Sequence, residues 1–110
     1  MNAFIQAVAL SACHNEINKV LYLYPNCHFK IGKTSMPLQN RYKNGYAEEY
    51  DDIILVHQSS DVELIDWLKK ELIKEYMFDY PLRCDNKQIG GGPDEEDIAL
   101  LGMIYIVIKK

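Results

Sequence analysis

The sequence lacks an excess of basic residues. Twelve lysines and arginines stand against 16 aspartates and glutamates, and the formal net charge is -4. A protein that coats nucleic acid nonspecifically needs a broad positive surface, because contacts with phosphate supply most of that affinity. The composition therefore argues against such a protein. It still leaves room for a local groove in which a few cations meet a phosphate.

Cysteine is also scarce. The number of cysteines is odd, and the spacing of Cys13, Cys27 and Cys84 fits no pattern of zinc ligands. They predict reduced thiols in an intracellular protein, cytoplasmic or nuclear.

No basic segment precedes the first apolar residues, so we expect no secretory signal peptide. The longest apolar segment, residues 98–108, is too short to span a bilayer, so no membrane partner is expected.

At 110 residues, the length predicts a single domain over residues 1–110, and its apolar content of 48% is enough for a core. Residues 3–17 predict a helix, and residues 19–24 and 27–32 predict two strands of an antiparallel hairpin. Residues 35–45 predict a short helix. The face of the first helix that should be buried carries Phe4, Ala7, Val8 and Ala12.

The second half of the chain predicts two further helices and a strand. The short apolar run at 53–57 predicts a central strand, and residues 59–76 predict the longest helix, with Lys69 near the middle of its buried face. Residues 77–93 contain several turn residues and predict a long loop. For residues 98–108 the acidic residues just before them favour a helix, although the sequence also has strong β-propensity.

The segment 20–41 concentrates hydroxyl groups and cations. Tyr22 lies on the first predicted strand, Gly32 and Lys33 end the second, and Arg41 lies on the helix that follows. This density indicates a site for phosphate, since guanidinium and ammonium groups bind phosphate oxygens. Each residue also has a simpler interpretation: a packed strand aromatic, a loop charge or an exposed helix arginine.

The order of these elements, together with two short motifs, resembles the GIY-YIG nuclease superfamily over about residues 18–87. The GIY segment would fall on residues 20–22, VLY, where only Tyr22 matches. The YIG segment would fall on residues 30–32 and continue as KIGKT, a form seen in many phage and viral members. The resemblance implies an α+β fold. Its small three-stranded antiparallel sheet would be flanked by helices, with extra N-terminal and C-terminal segments.

The resemblance also implies roles for individual residues. Tyr22 would help to deprotonate the attacking water, and the cations Lys33 and Arg41 would favour its phenolate form. Arg41, nine residues after the glycine of the KIG segment, matches the helix arginine of the family and would hold a phosphate oxygen. The residues implied to contact the substrate are Lys30, Gly32, Lys69 and Asn86.

The main departure from the family lies at Lys69, where the family has a metal-binding glutamate. An ammonium group repels Mg²⁺, so Lys69 would instead meet a phosphate or pair with Asp66 one turn earlier. Asp66 is then the candidate for a shifted metal ligand. Mg²⁺ or Mn²⁺ is expected if the protein is catalytic, and no cofactor is expected otherwise.

Two functions remain open. The first is a GIY-YIG-type endonuclease that hydrolyses a phosphodiester of DNA, which Tyr22, Gly32, Lys33 and Arg41 favour. The second is a module that keeps the fold and binds nucleic acid or a protein partner without cleavage, which Lys69 favours. DNA is the expected partner, and a protein partner or a homodimer is the alternative.

Overall fold

The computed structural model describes residues 2–89 and 101–110. Within these ranges the protein is α+β, with three helices and one antiparallel sheet of three strands. The glycines at 90–92 of the predicted loop and the beginning of the predicted C-terminal helix lie outside the described residues. The elements in chain order are α1 (Ala3–Leu23), β1 (His28–Thr34), α2 (Leu38–Lys43), β2 (Asp52–Ser59), α3 (Val62–Asp79) and β3 (Gly102–Lys109).

The sheet has the order β1–β3–β2, so its central strand is β3. Both neighbours pair with it antiparallel, and Tyr105 lies opposite Gly32 on one side and Leu55 on the other. Residues 104–108 are completely buried, as expected of a strand covered on both faces. The helix predicted at 98–108 is therefore wrong where the chain is described. The β-branched residues of this segment, and the two strands available to pair with it, favour a strand more strongly than the preceding acidic residues favour a helix.

The first predicted hairpin does not form. α1 continues to Leu23, so Tyr22 lies on a helix and not on a strand, with 85% of its surface exposed. Val20 and Leu21 continue the buried face of α1, and this packing overrides the local preference of their segment for β structure. β1 pairs with β3 instead of with residues 19–24.

The buried face of α1 also differs from the prediction. The predicted residues Phe4, Ala7, Val8 and Ala12 are exposed. A second apolar stripe on the same helix packs against the core instead. The buried residues of α1 are Ala9, Cys13, Ile17, Val20 and Leu21.

The other elements agree better with the sequence. β1, α2, β2 and α3 all occupy predicted positions, although β2 is an edge strand and not the central one. Asp61 caps α3 by accepting a hydrogen bond from the backbone N–H of Leu64. The predicted burial of Lys69 is confirmed: it is 6% exposed, on the face of α3 that packs against the domain.

The sheet separates two apolar clusters. Helices α1 and α3 cover one face, and their cluster includes Phe29, Ile31 and Ile106 from the sheet. On the other face Tyr105 packs with Tyr46 and Tyr50, which follow α2. Each face of the sheet therefore has its own cover. None of the described helices is both long enough and apolar enough to cross a membrane.

Candidate functional site

A cleft of about 930 Å³ lies beside β1, bounded by α3 and by residues 81–88. Five lysines and a histidine line it, whereas its acidic residues are Glu49 and Asp85. The whole chain has a net charge of -4, so this local excess of cations runs against the composition. The basic side chains of the cleft are His28, Lys30, Lys69, Lys87, Lys109 and Lys110.

β1 brings two predicted residues to the cleft. Phe29 and Ile31 point to the cluster beneath α1 and α3, so the alternate residues Lys30 and Gly32 face the other side of the sheet. Both of them line the cleft. Lys69 reaches it from α3, across the edge of β1. The structure thus joins two residues on one face of a strand with a helix residue whose burial was predicted from helical periodicity.

The outer edge of β1 is covered by the segment that follows α3. Phe29 donates its N–H to the carbonyl of Arg83 at 2.9 Å, and Asp85 donates its N–H to the carbonyl of Phe29 at 2.7 Å. The side chain of Asn86 accepts from the N–H of Ile31 at 2.8 Å and donates to its carbonyl at 2.9 Å. These bonds satisfy backbone groups that an edge strand otherwise exposes.

Asn86 therefore has a visible structural role. Its amide oxygen and nitrogen both bind the backbone of Ile31, and the side chain is buried although it lines the cleft. The amide fixes one wall of the cleft by extending the hydrogen-bonding pattern of the sheet. Direct contact between Asn86 and a substrate stays a prediction.

The tyrosine beside Gly32 is Tyr105, and the predicted Tyr22 does not line the cleft. A methyl group at position 32 would overlap the ring and hydroxyl of Tyr105, so only glycine leaves room for this contact. The Tyr105 hydroxyl lies 2.6 Å from the Tyr46 hydroxyl. Sequence reasoning missed Tyr105 because it favoured a helix there, although the β-propensity of the segment was a usable signal.

Arg41 belongs to this tyrosine cluster. It donates from Nη2 to the hydroxyl of Tyr46 at 3.3 Å, and its guanidinium carbon lies 4.7 Å from the centre of the Tyr46 ring. Tyr105 is completely buried and Tyr46 is 3% exposed. The guanidinium therefore lies over the ring of a buried tyrosine and donates to its hydroxyl, and Arg41 itself does not line the cleft.

Lys33 and Asp66 meet away from the cleft. The buried ammonium of Lys33 donates to Asp66 Oδ1 at 2.6 Å, and Lys70 lies 3.4 Å from Oδ2. The hydrogen bond from Lys33 is the main reason that the pKa of Asp66 lies below its ordinary value of 3.8. Attraction to the two lysines adds to this effect, and partial burial opposes it.

This donor set does not fit the predicted metal site. Both carboxylate oxygens of Asp66 face ammonium groups, whereas Mg²⁺ and Mn²⁺ need oxygen ligands without competing cations. Within residues 2–89 and 101–110, no three side chains among His, Cys, Asp and Glu are grouped so that they could hold a metal ion. Asp66 is better described as the partner of a buried lysine.

The ion pair predicts a specific acid sensitivity. Because the pKa of Asp66 is lower in the folded state, its stabilisation is present above about pH 4 and lost as pH falls through the folded pKa. We expect the free energy of unfolding to fall less between pH 7 and about pH 3 in Asp66→Asn than in the wild type. Urea unfolding at both pH values measures this difference.

Glu48→Gln removes an exposed carboxyl group and serves as the control. Its pH dependence should follow that of the wild type. Equal pH dependence in Asp66→Asn and the wild type would show that the ion pair adds nothing to stability.

The structure thus divides the predicted site into two groups. Residues missed by the sequence analysis, among them His28, Lys87 and Asp85, join the cleft because residues 83–86 pair with β1. No short sequence motif marks that pairing. The cleft is lined by the predicted residues Lys30, Gly32, Lys69 and Asn86, and it is not lined by Tyr22, Lys33, Arg41 or Asp66.

Comparisons of this chain with protein-family models, curated proteins and solved structures gave no match.

Proposed function

We propose that this cleft binds the phosphodiester backbone of DNA. The observation that carries the proposal is the group of five lysines lining one cleft of an acidic protein. Phosphate contacts by lysine supply affinity without reading sequence, and their strength depends on salt because bound counterions are released. A local basic cleft fits the expectation that only a narrow part of the surface meets nucleic acid.

The size of the cleft favours a single strand. Its volume of about 930 Å³ is typical of a site for a small molecule and would hold a few nucleotides, not the width of a duplex. The ring and hydroxyl of Tyr105 occupy the space above Gly32, so the bound strand would lie in the cleft beside β1 and not over this glycine. Its phosphates would face Lys30 and Lys69, which both line the cleft.

Hydrolysis of the phosphodiester is the second candidate, and the position of Tyr105 favours it. In the GIY-YIG superfamily that the sequence resembles, a tyrosine strand lies beside the glycine strand, and here Tyr105 of β3 lies opposite Gly32 of β1. The tyrosine strand would then follow the glycine strand in the chain. Tyr105 would take the role that the sequence analysis gave to Tyr22.

Binding remains the better supported function. The Tyr105 hydroxyl is completely buried and bonded to Tyr46, so it could reach a water only after the cluster opened. Lys69 also brings a cation to the cleft at the position where the family has its metal-binding carboxylate. A cation there strengthens contact with phosphate and weakens contact with Mg²⁺.

The double variant Lys30→Ala/Lys87→Ala tests binding directly. We expect it to bind single-stranded DNA at least tenfold more weakly at low salt, because two phosphate contacts are lost. The slope of log affinity against log salt should decrease by about 1 for each lysine removed. Fluorescence anisotropy of a labelled oligonucleotide, measured over a series of salt concentrations, gives both values.

Lys19→Ala/Lys74→Ala is the matched control. It removes the same charge from exposed positions on α1 and α3 that do not line the cleft. Its affinity and salt slope should stay close to those of the wild type. Equal weakening in both double variants would point to a general charge effect, and absence of binding by the wild type would refute the proposal.

A further inference from the structure

A histidine–aspartate pair lies in the wall of the cleft, outside the residues that the family resemblance implies. His28 Nδ1 is 3.1 Å from Asp85 Oδ1, and the two side chains are 50% and 30% exposed. Both residues line the cleft together with Lys30 and Lys69. A titratable ring is therefore placed among cations that the proposed function assigns to phosphate binding.

The carboxylate determines which nitrogen of His28 can accept a proton. Asp85 accepts the hydrogen bond from Nδ1–H, so a neutral imidazole keeps its lone pair on Nε2. Within the described part of the chain, Nε2 has no hydrogen-bond partner. This is the arrangement that a general base needs: one nitrogen oriented by a carboxylate and the other available for a reacting hydroxyl.

Asp85 is itself held at two points. Its Oδ2 accepts a hydrogen bond from the buried Tyr50 hydroxyl at 2.9 Å, and its backbone N–H binds the carbonyl of Phe29 at 2.7 Å. The aspartate is thus fixed to the strand that carries His28 and to the aromatic cluster on the face of the sheet opposite α1 and α3. A chain of Tyr50, Asp85 and His28 leads from the protein interior to the cleft.

We propose that His28 is the general base for cleavage of a phosphodiester bound in this cleft, with Asp85 as a positioning residue. The inference rests on the proposed function, because the cleft lysines must first hold the backbone. The attacking hydroxyl belongs to water for DNA or to the ribose 2′ position for RNA. In both cases an oxygen nucleophile displaces an oxygen leaving group at phosphorus, so the substrate class is a nucleic-acid phosphodiester.

The step balances within the cleft. The attacking hydroxyl gives its proton to Nε2, its oxygen forms a bond to phosphorus, and the bond from phosphorus to the leaving oxygen breaks. The leaving oxygen takes a proton from an ammonium group, for which Lys30 and Lys69 are placed. The resulting amine and imidazolium return to their starting states by exchange with solvent. Side chains supply the base and the cations, so turnover should persist in the presence of EDTA.

Cleavage and binding are measured separately with RNA and DNA oligonucleotides of the same sequence, all in EDTA. We expect the wild type to cleave at least one of them, and His28→Ala to lower the rate constant about 10²-fold or more. A 2′,3′-cyclic phosphate product identifies the ribose hydroxyl as nucleophile, and cleavage of DNA identifies water. Added imidazole should restore part of the rate of His28→Ala, which a purely structural histidine would not allow.

Asp85→Asn should lower the rate constant with little change in the concentration for half-saturation, because it removes the group that orients the ring. His57→Ala is the control: it lies on β2, does not line the cleft and should cleave like the wild type. Binding by the wild type without cleavage of either oligonucleotide overturns this inference and leaves the proposed function intact. Cleavage that survives in His28→Ala, or that imidazole fails to restore, also overturns it, whereas absence of binding refutes the proposed function itself.

Discussion

Tyr105→Ala should lower the free energy of unfolding by about 3 to 5 kcal/mol, the range measured when large aromatic residues are removed from cores. Tyr105 is completely buried in the central strand, and its hydroxyl bonds to Tyr46. The substitution leaves a cavity beside Gly32, which has no side chain to fill it. Urea unfolding followed by circular dichroism measures the loss, which is a large share of the stability of a typical domain.

Tyr22→Ala is the matched control for this prediction. It makes the same chemical change at a tyrosine that is 85% exposed on α1, so the free energy of unfolding should change by less than about 0.5 kcal/mol. The pair of variants also tests the assignment of strands, because the sequence analysis placed Tyr22 in the sheet. Similar losses in both variants would contradict the central position of β3.

Lys69→Glu should weaken binding of single-stranded DNA by about 30- to 150-fold, or about 2 to 3 kcal/mol. The substitution replaces a cation with an anion in the cleft wall, and the side chain is only 6% exposed, so water screens the change poorly. Fluorescence anisotropy at fixed salt measures the affinity. Lys74→Glu makes the same charge change at an exposed position of α3 and should have a much smaller effect.

Lys69→Glu also separates binding from a lost nuclease activity. If the lysine replaced a metal-binding glutamate, the variant should gain a cleavage of DNA that depends on Mg²⁺ or Mn²⁺, whereas the wild type should show no such metal dependence. Lys69→Met gives the same test of affinity with a neutral side chain if the glutamate variant does not fold. Unchanged affinity in both folded variants would exclude Lys69 from the DNA contact.

Local sequence signals predicted the helices and strands whose apolar residues follow a single periodicity and whose ends carry a single set of capping or turn residues. The apolar periodicity of α3 placed Lys69 on the buried face, and the short apolar run at 53–57 identified β2. The segment 20–24 has the composition of a strand, yet Val20 and Leu21 extend the buried stripe of α1. Composition alone could not decide between these outcomes, because the deciding contacts come from α3 and the sheet.

The candidate site shows the same limit. Lys30 and Gly32 were identified because the KIG segment resembles a motif of the GIY-YIG superfamily. His28 and Asp85 meet only because residues 83–86 cover the edge of β1, and no periodic signal in the chain reports that contact. Tyr105 was missed because its segment offered signals for both a helix and a strand.

The order β1–β3–β2 has a consequence for how the chain acquires its fold during synthesis. The two edge strands do not pair with each other, so the edges that they turn toward the centre of the sheet have no partner until β3 leaves the ribosome. Contacts such as that between Tyr46 and Tyr105 join positions 59 residues apart, and closing such loops slows folding. A nascent chain that stops before β3 would present two unpaired strand edges, the kind of surface on which other chains aggregate or chaperones act.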